Sequence, residues 1–204
     1  MTPESHGDAP DNADTFYAAI AGTIIIGLAA FGLSLLLGTP LAPQLRFSID
    51  DALIAIIATL PPVVFLWWFS NTDLPALVEF RNSQIEFFSK IGFRFTPIRI
   101  VAMAVAAGVC EELLFRGVLQ TWFASFSPML FAILVTNIIF GLLHMRTALY
   151  AVMAGGVGAY FGALYALNGN LVAPMIAHGL YDAIALEYTR RAIIAFRREN
   201  SFSG

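Results

Sequence analysis

Six ionisable residues lie inside stretches of sequence that are otherwise almost wholly apolar, and they limit what this chain can fold into more than any other feature. They fall in three short signatures: Glu111-Glu112-Leu113-Leu114-Phe115-Arg116, Phe140-Gly141-Leu142-Leu143-His144, and His178-Gly179-Leu180-Tyr181-Asp182. The surroundings are too apolar for an ordinary soluble domain, with 58% hydrophobic and 12% charged residues. In hydrocarbon each ionisable group costs about 2.5 to 3.5 kcal/mol on insertion scales, so several together require a protein-lined interior in which they satisfy one another. The expected fold is therefore all-α, a polytopic membrane helical bundle.

The segments follow from hydropathy. Residues 1-14 are polar, rich in Asp, Asn and Pro, and read as a disordered tail. Residues 15-70 hold two transmembrane helices, the first from Thr15 to Gly38, and Pro61 and Pro62 are expected to kink the second. The acidic stretch before the first apolar run contains no Lys or Arg, unlike a signal peptide, so that run is expected to be retained as a span. Across 71-95 apolar residues recur every three or four positions among Arg81, Glu86, Lys90 and Arg94, the pattern of an amphipathic helix in the membrane surface. Residues 96-196 are expected to form a four-helix core, for about six transmembrane helices in all, and 197-204 a C-terminal tail. In the fifth span Ala154, Gly155, Gly158, Ala159 and Gly162 offer small side chains for close helix packing.

Charge distribution sets the expected orientation and excludes one class of partner. Arg81, Lys90, Arg94, Arg99, Arg146, Arg190, Arg191, Arg197 and Arg198 fall on one side of the predicted spans and Arg46 alone on the other. Both termini are therefore expected in the cytoplasm, in a multi-pass cell membrane protein of the bacterial plasma-membrane type. A net charge of -3 gives no basic footprint for nucleic acid. The lone Cys110 can form no intrachain disulfide, and in an apolar helix its thiol is expected to be inert.

Within the signatures, Glu112 and Arg116 stand one helical turn apart and can pair, whereas Glu111 points about 100° away. Asn137, Phe140 and His144 share one helical stripe facing inward. His178 and Asp182 are again one turn apart, so the carboxylate can orient the imidazole. A structural ionic network is the alternative for each motif alone; costly polar groups on three separate helices favour convergence on one site. Glutamate with histidine is the pairing that deprotonates water and later protonates a leaving amine. Counting 1.5 Å per residue puts Glu111 and His178 at similar depths and His144 about two turns nearer the cytoplasm, a gap that helix tilt would have to close.

In these motifs, EExxxR, FxxxH and HxxxD in that order on separate apolar helices, the chain resembles the CPBP family: CAAX proteases and bacteriocin-processing enzymes, also called Abi. The resemblance runs from about Thr96 to Tyr188. It implies a glutamate-type intramembrane endopeptidase, without cofactor or metal, acting on a membrane-associated peptide or protein. By the same carry-over Glu111 and His144 would activate water, His178 and Asp182 would face the oxyanion, and Glu112 and Arg116 would hold the architecture, with Asn137 and Phe140 in support. Where eukaryotic prenyl-protein proteases of the family have Asn, this chain has Asp182, which when ionised can only accept a hydrogen bond and is better suited to orienting His178. Two further readings use the same residues: a zinc peptidase on Glu111, His144 and His178, and a non-catalytic immunity or peptide-binding protein. Substrate identity and oligomeric state leave no signature in the sequence.

Overall fold

The structure is a computed structural model, and it describes residues 11–201. Eight α-helical segments account for nearly all of it: α1 (Ala13–Leu37), α2 (Ile49–Asn71), α3 (Pro75–Ser89), α4 (Pro97–Glu112), α5 (Thr121–Ala124), α6 (Met129–Leu143), α7 (Ala148–Asn168) and α8 (Val172–Ser201). A single 3-10 turn, Ala42–Gln44, joins α1 to α2, and a π-helical stretch, Leu113–Gln120, runs without a break from α4 into α5. No strand occurs among the described residues, so the all-helical expectation is met. Helices α1, α2 and α7 are each long and apolar enough to cross a membrane by length and composition. The two helical runs that carry the buried charges fall short of that composition, and α6 is a shorter apolar helix of 15 residues.

Local chemistry explains where the helices begin and end. Asn12 caps α1 by accepting from the Asp14 amide, Ser48 caps α2, and Thr96 and Thr147 cap α4 and α7, so each helix starts on a side chain suited to an unpaired first-turn N–H. Gly38 and Gly169 end α1 and α7 in the left-handed region at φ 68° and 63°, where a Cβ would be strained. Pro75 opens α3 at its first position.

Two expected segment ends are revised. The polar tail ends earlier than residue 14: α1 already begins at Ala13, the Asn12 amide donates to Gly92 O at 2.9 Å, and Asp11 accepts from both the Arg94 amide and the Arg99 guanidinium. The rest of that tail, 1–10, lies outside the described residues. At the other end α8 continues to Ser201, so most of 197-204 is helix, and 202–204 lie outside the description. Helix α2 runs through Pro61 and Pro62 as one element. Pro62 has no N–H for the carbonyl of Ala58, and that oxygen accepts instead from the Tyr160 hydroxyl at 2.8 Å.

Helix α4 packs along α8, α6 along α7, and α1 and α2 flank the core on α4 and α8 respectively. Glycine sets the closest approaches. A Cβ on Gly108 would fall 2.7 Å from Met175 O and 2.8 Å from the Gly179 amide, so α4 and α8 cross backbone to backbone. One turn past that crossing come Glu111 and Glu112, facing His178. Between α6 and α7, Gly141 lies against Ala151 O and Gly155 against Asn137 O in the same manner. Helix α3 is tied down by cations: Arg81 donates to the carbonyls of Phe69, Ser70 and Thr72 at the end of α2, Arg146 reaches Ser83 and Gln84, and Arg197 reaches Ser89 O.

Candidate active site

The π-helical stretch begins directly after Glu112 and carries Phe115, Arg116 and Gln120 into the core, all three buried. Such insertions widen a helix and re-aim its side chains, and they gather at functional sites. Arg116 is fully buried, with Nη1 2.9 Å from Glu112 Oε1, and its Nη2 donates to Asn137 Oδ1 at 3.1 Å and to the Gly158 carbonyl. Asn137 is committed on its other side, donating from Nδ2 to Ile133 O at 2.8 Å. Gly158 is required here because a Cβ would stand 2.5 Å from Asn137 Oδ1. The small-residue stripe of α7 thus does more than allow close packing, since it brings a main-chain carbonyl to a buried guanidinium. Gln120 repeats the arrangement one turn on, donating to Gly162 O at 2.9 Å.

Glu112 has a second partner that the one-turn spacing did not suggest. His178 Nδ1 lies 2.8 Å from Glu112 Oε1, while Asp182 Oδ2 stands 3.5 Å from His178 Nε2. The tight hydrogen bond that fixes the imidazole therefore comes from Glu112, and Asp182 approaches the opposite nitrogen. Phe161 stacks on His178 with ring centroids 5.2 Å apart and 20° between planes. Phe140 packs edge-on against Phe115 at 4.8 Å, lies under the Arg116 guanidinium at 5.4 Å and contacts the His144 ring at 4.2 Å.

Glu111 occupies the other face. Its Oε2 is buried with no hydrogen-bond partner among the described residues, 4.0 Å from His144 Nε2 and 4.0 Å from His178 Nε2. The depth gap that residue counting predicts between His144 and Glu111 is absent from the structure, which brings the two side chains to 4.0 Å. His144 ends α6 as its C-cap. Its Nδ1 is 2.9 Å from the carbonyl of Phe140, which can only accept; Nδ1 therefore carries the hydrogen and Nε2 of the neutral ring is an acceptor turned toward Glu111.

These groups line a cavity of about 400 Å³ with contributions from α1, α2, α3, α4, α6, α7 and α8. Its wall is mainly apolar, including Ile20, Phe65, Phe69, Phe80 and Val157, while Glu111, His144, His178 and Asp182 form a polar patch. His144 and Asp182, with side chains 31% and 27% exposed, are its most accessible members, against 12% for Glu111 and 8% for His178.

All eight site residues named from sequence thus belong to one connected constellation. Sequence reasoning missed Phe161, the Gly158 carbonyl, Gln120 and Tyr150, whose ring lies 6.5 Å from that of His144. Gln120 had a usable signal, since 112, 116 and 120 place three polar residues four apart on an apolar helix. Phe161 had none, being one aromatic among many.

The profile of the family described as type II CAAX prenyl endopeptidase Rce1-like matches residues 93–184, the region that contains all three motifs. The chain is also 31% identical over 146 residues to the uncharacterized protein YpbD of Bacillus subtilis, covering 68% of this chain and 69% of that one. No solved structure is significantly similar.

Proposed function

The chain belongs to the Rce1-like, CPBP family of membrane proteases, and from that premise we propose that it is a glutamate-type intramembrane endopeptidase cleaving membrane-associated peptides or proteins. The observation that carries this reading is the placement of Glu111 Oε2, unpartnered and 4.0 Å from an accepting imidazole nitrogen of His144. Two acceptors at that separation are spanned by one water oxygen about 2.8 Å from each. Both protons of the water are then held and a lone pair is free to attack. The water oxygen bonds to the scissile carbonyl carbon as Glu111 takes its proton; collapse of the intermediate breaks the C–N bond as that proton passes to the leaving nitrogen. His178, held by Glu112 and stacked on Phe161, faces the carbonyl oxygen, and Asp182 sets the charge on its far nitrogen. The apolar wall suits a substrate that arrives from the bilayer. In this reading both termini are cytoplasmic.

The test compares membranes carrying the wild type with membranes carrying Glu111→Gln or His144→Ala, mapping new N-termini by labelling and mass spectrometry. New termini are expected with the wild type and in neither variant, at equal amounts of folded protein. Wild-type turnover in either variant would refute the assignment, and identical termini in all three membranes would favour the immunity or peptide-binding reading. A chelator is expected to leave the wild-type rate unchanged. Among the described residues no group of three His, Cys, Asp or Glu side chains is disposed to hold a metal ion. Loss of cleavage on chelation, restored by zinc, would transfer the mechanism to the zinc reading.

A further inference from the structure

Charge that develops on the carbonyl oxygen during peptide hydrolysis needs hydrogen-bond donors aimed at it, and the site described above is poor in them. Glu111 and Asp182 are acceptors when ionised. Arg116 is fully buried behind the cavity lining, with its terminal nitrogens on Glu112, Asn137 and Gly158. Asn137 has its carbonyl on Arg116 and its amide on Ile133 O. His144 and His178 each commit Nδ1, to Phe140 O and to Glu112, and His178 Nε2 is left as a single donor, available only when the ring is doubly protonated.

The cavity wall holds the missing donor. Tyr150 lies in the first turn of α7, where its amide donates to the capping Thr147 Oγ1 at 3.1 Å. Its ring stands 6.5 Å from His144 at 69° and 6.3 Å from Phe80 of α3, which fixes it between the catalytic histidine and the helix across the cavity. The charges it faces are those of Asp182, Glu111 and Arg146. Its hydroxyl is committed to no hydrogen bond among the described residues. Of the other hydroxyls on the wall, Thr23 donates to Ala19 O and Thr189 to Ala185 O, while Tyr181 and Tyr188 are carried on α8; Tyr150 is the phenol in ring contact with His144.

We propose that Tyr150 is a catalytic residue of this endopeptidase, donating its phenolic O–H to the oxyanion of the tetrahedral intermediate opposite His178. A phenol suits the task because it donates without bringing a charge into a largely apolar cavity. The inference rests on the endopeptidase reading, and it accounts for Asp182 standing where a donor would be expected.

The experiment uses the full-length protein in liposomes and a synthetic peptide spanning a cleavage site mapped as new N-termini that the wild type produces and Glu111→Gln does not. Tyr150→Phe keeps the ring and removes the donor. It is expected to lower kcat about 10²- to 10³-fold with KM and resistance to unfolding unchanged, whereas Tyr181→Phe stays near the wild-type rate. Restoring a phenol as 3-fluorotyrosine at position 150 is expected to restore turnover. A wild-type kcat in Tyr150→Phe, a loss confined to KM, or a loss matched by weakened folding would each overturn the role of Tyr150 while leaving the peptidase reading in place. Should Glu111→Gln cleave like the wild type, or no terminus depend on Glu111, the peptidase reading itself fails and the oxyanion donor fails with it.

Discussion

Glu111 and Glu112 are neighbours in the chain, and the rotation of about 100° between successive helix positions sends their carboxylates to different environments. Glu112 enters a fully buried array with Arg116 and His178; Glu111 looks into the cavity. Removing one partner of a buried ion pair leaves the other charge without compensation, a cost of about 3 to 5 kcal/mol. Glu112→Gln is therefore expected to destabilise the protein by about 3 kcal/mol. Glu111→Gln, whose Oε2 makes no hydrogen bond within the protein, should destabilise far less than Glu112→Gln while abolishing cleavage. An SDS titration in mixed micelles reads both effects on stability. Equal destabilisation by the two variants would show that the adjacent carboxylates are not divided in this way. The division between them was legible from i,i+4 spacing; the second partner of Glu112, His178, was not, because a contact between residues 112 and 178 depends on where α4 and α8 cross.

Helices here depart from regularity where a neighbour supplies what the backbone lacks. In α2 the missing N–H of Pro62 leaves the carbonyl of Ala58 free, and Tyr160 of α7 donates to it. Tyr160→Phe should strand that buried oxygen and cost about 1 kcal/mol. In a Pro62→Ala background, where residue 62 regains an amide for the same carbonyl, the Tyr160→Phe substitution should cost close to nothing. A double-mutant cycle of unfolding free energies measures the difference, and additive effects would show that the hydroxyl does not substitute for the proline N–H. The helices themselves were legible because hydropathy acts locally. The π-helical stretch was not, since Leu113–Gln120 reads as ordinary helix by propensity and owes its register to partners on other helices: Arg116 to Asn137 and Gly158, Gln120 to Gly162. The close approach at Gly158 was half legible, as part of a stripe of small residues whose neighbours appear only in three dimensions, and the backbone crossing at Gly108 was not.

Across the whole molecule several of the cations that sequence assigned to one side of the membrane make their contacts around α3 and the start of α1. Arg146 and Arg197 both bond α3, which carries Arg81 and Lys90, and Arg94 and Arg99 meet the start of α1 through Asp11. Arg46 lies apart from them, with its guanidinium on Gly169 O and its backbone paired with Asn170, beside the turn that holds Gln44. Positive residues favour the cytoplasmic face, so the proposed orientation puts the α3 end there and the Arg46 end on the far side. The cavity is lined by α3 and carries His144 two residues from Arg146, so in this proposed orientation its polar patch lies nearer the cytoplasmic end. Single cysteines introduced at exposed positions in a Cys110→Ala background test this placement. A thiol at Phe47 is expected to react with a membrane-impermeant maleimide in intact cells. One at Leu74 should react only after the membrane is opened. The reverse pattern would invert the molecule and place the proposed chemistry on the outer side of the membrane, where a cytoplasmic substrate could not reach it.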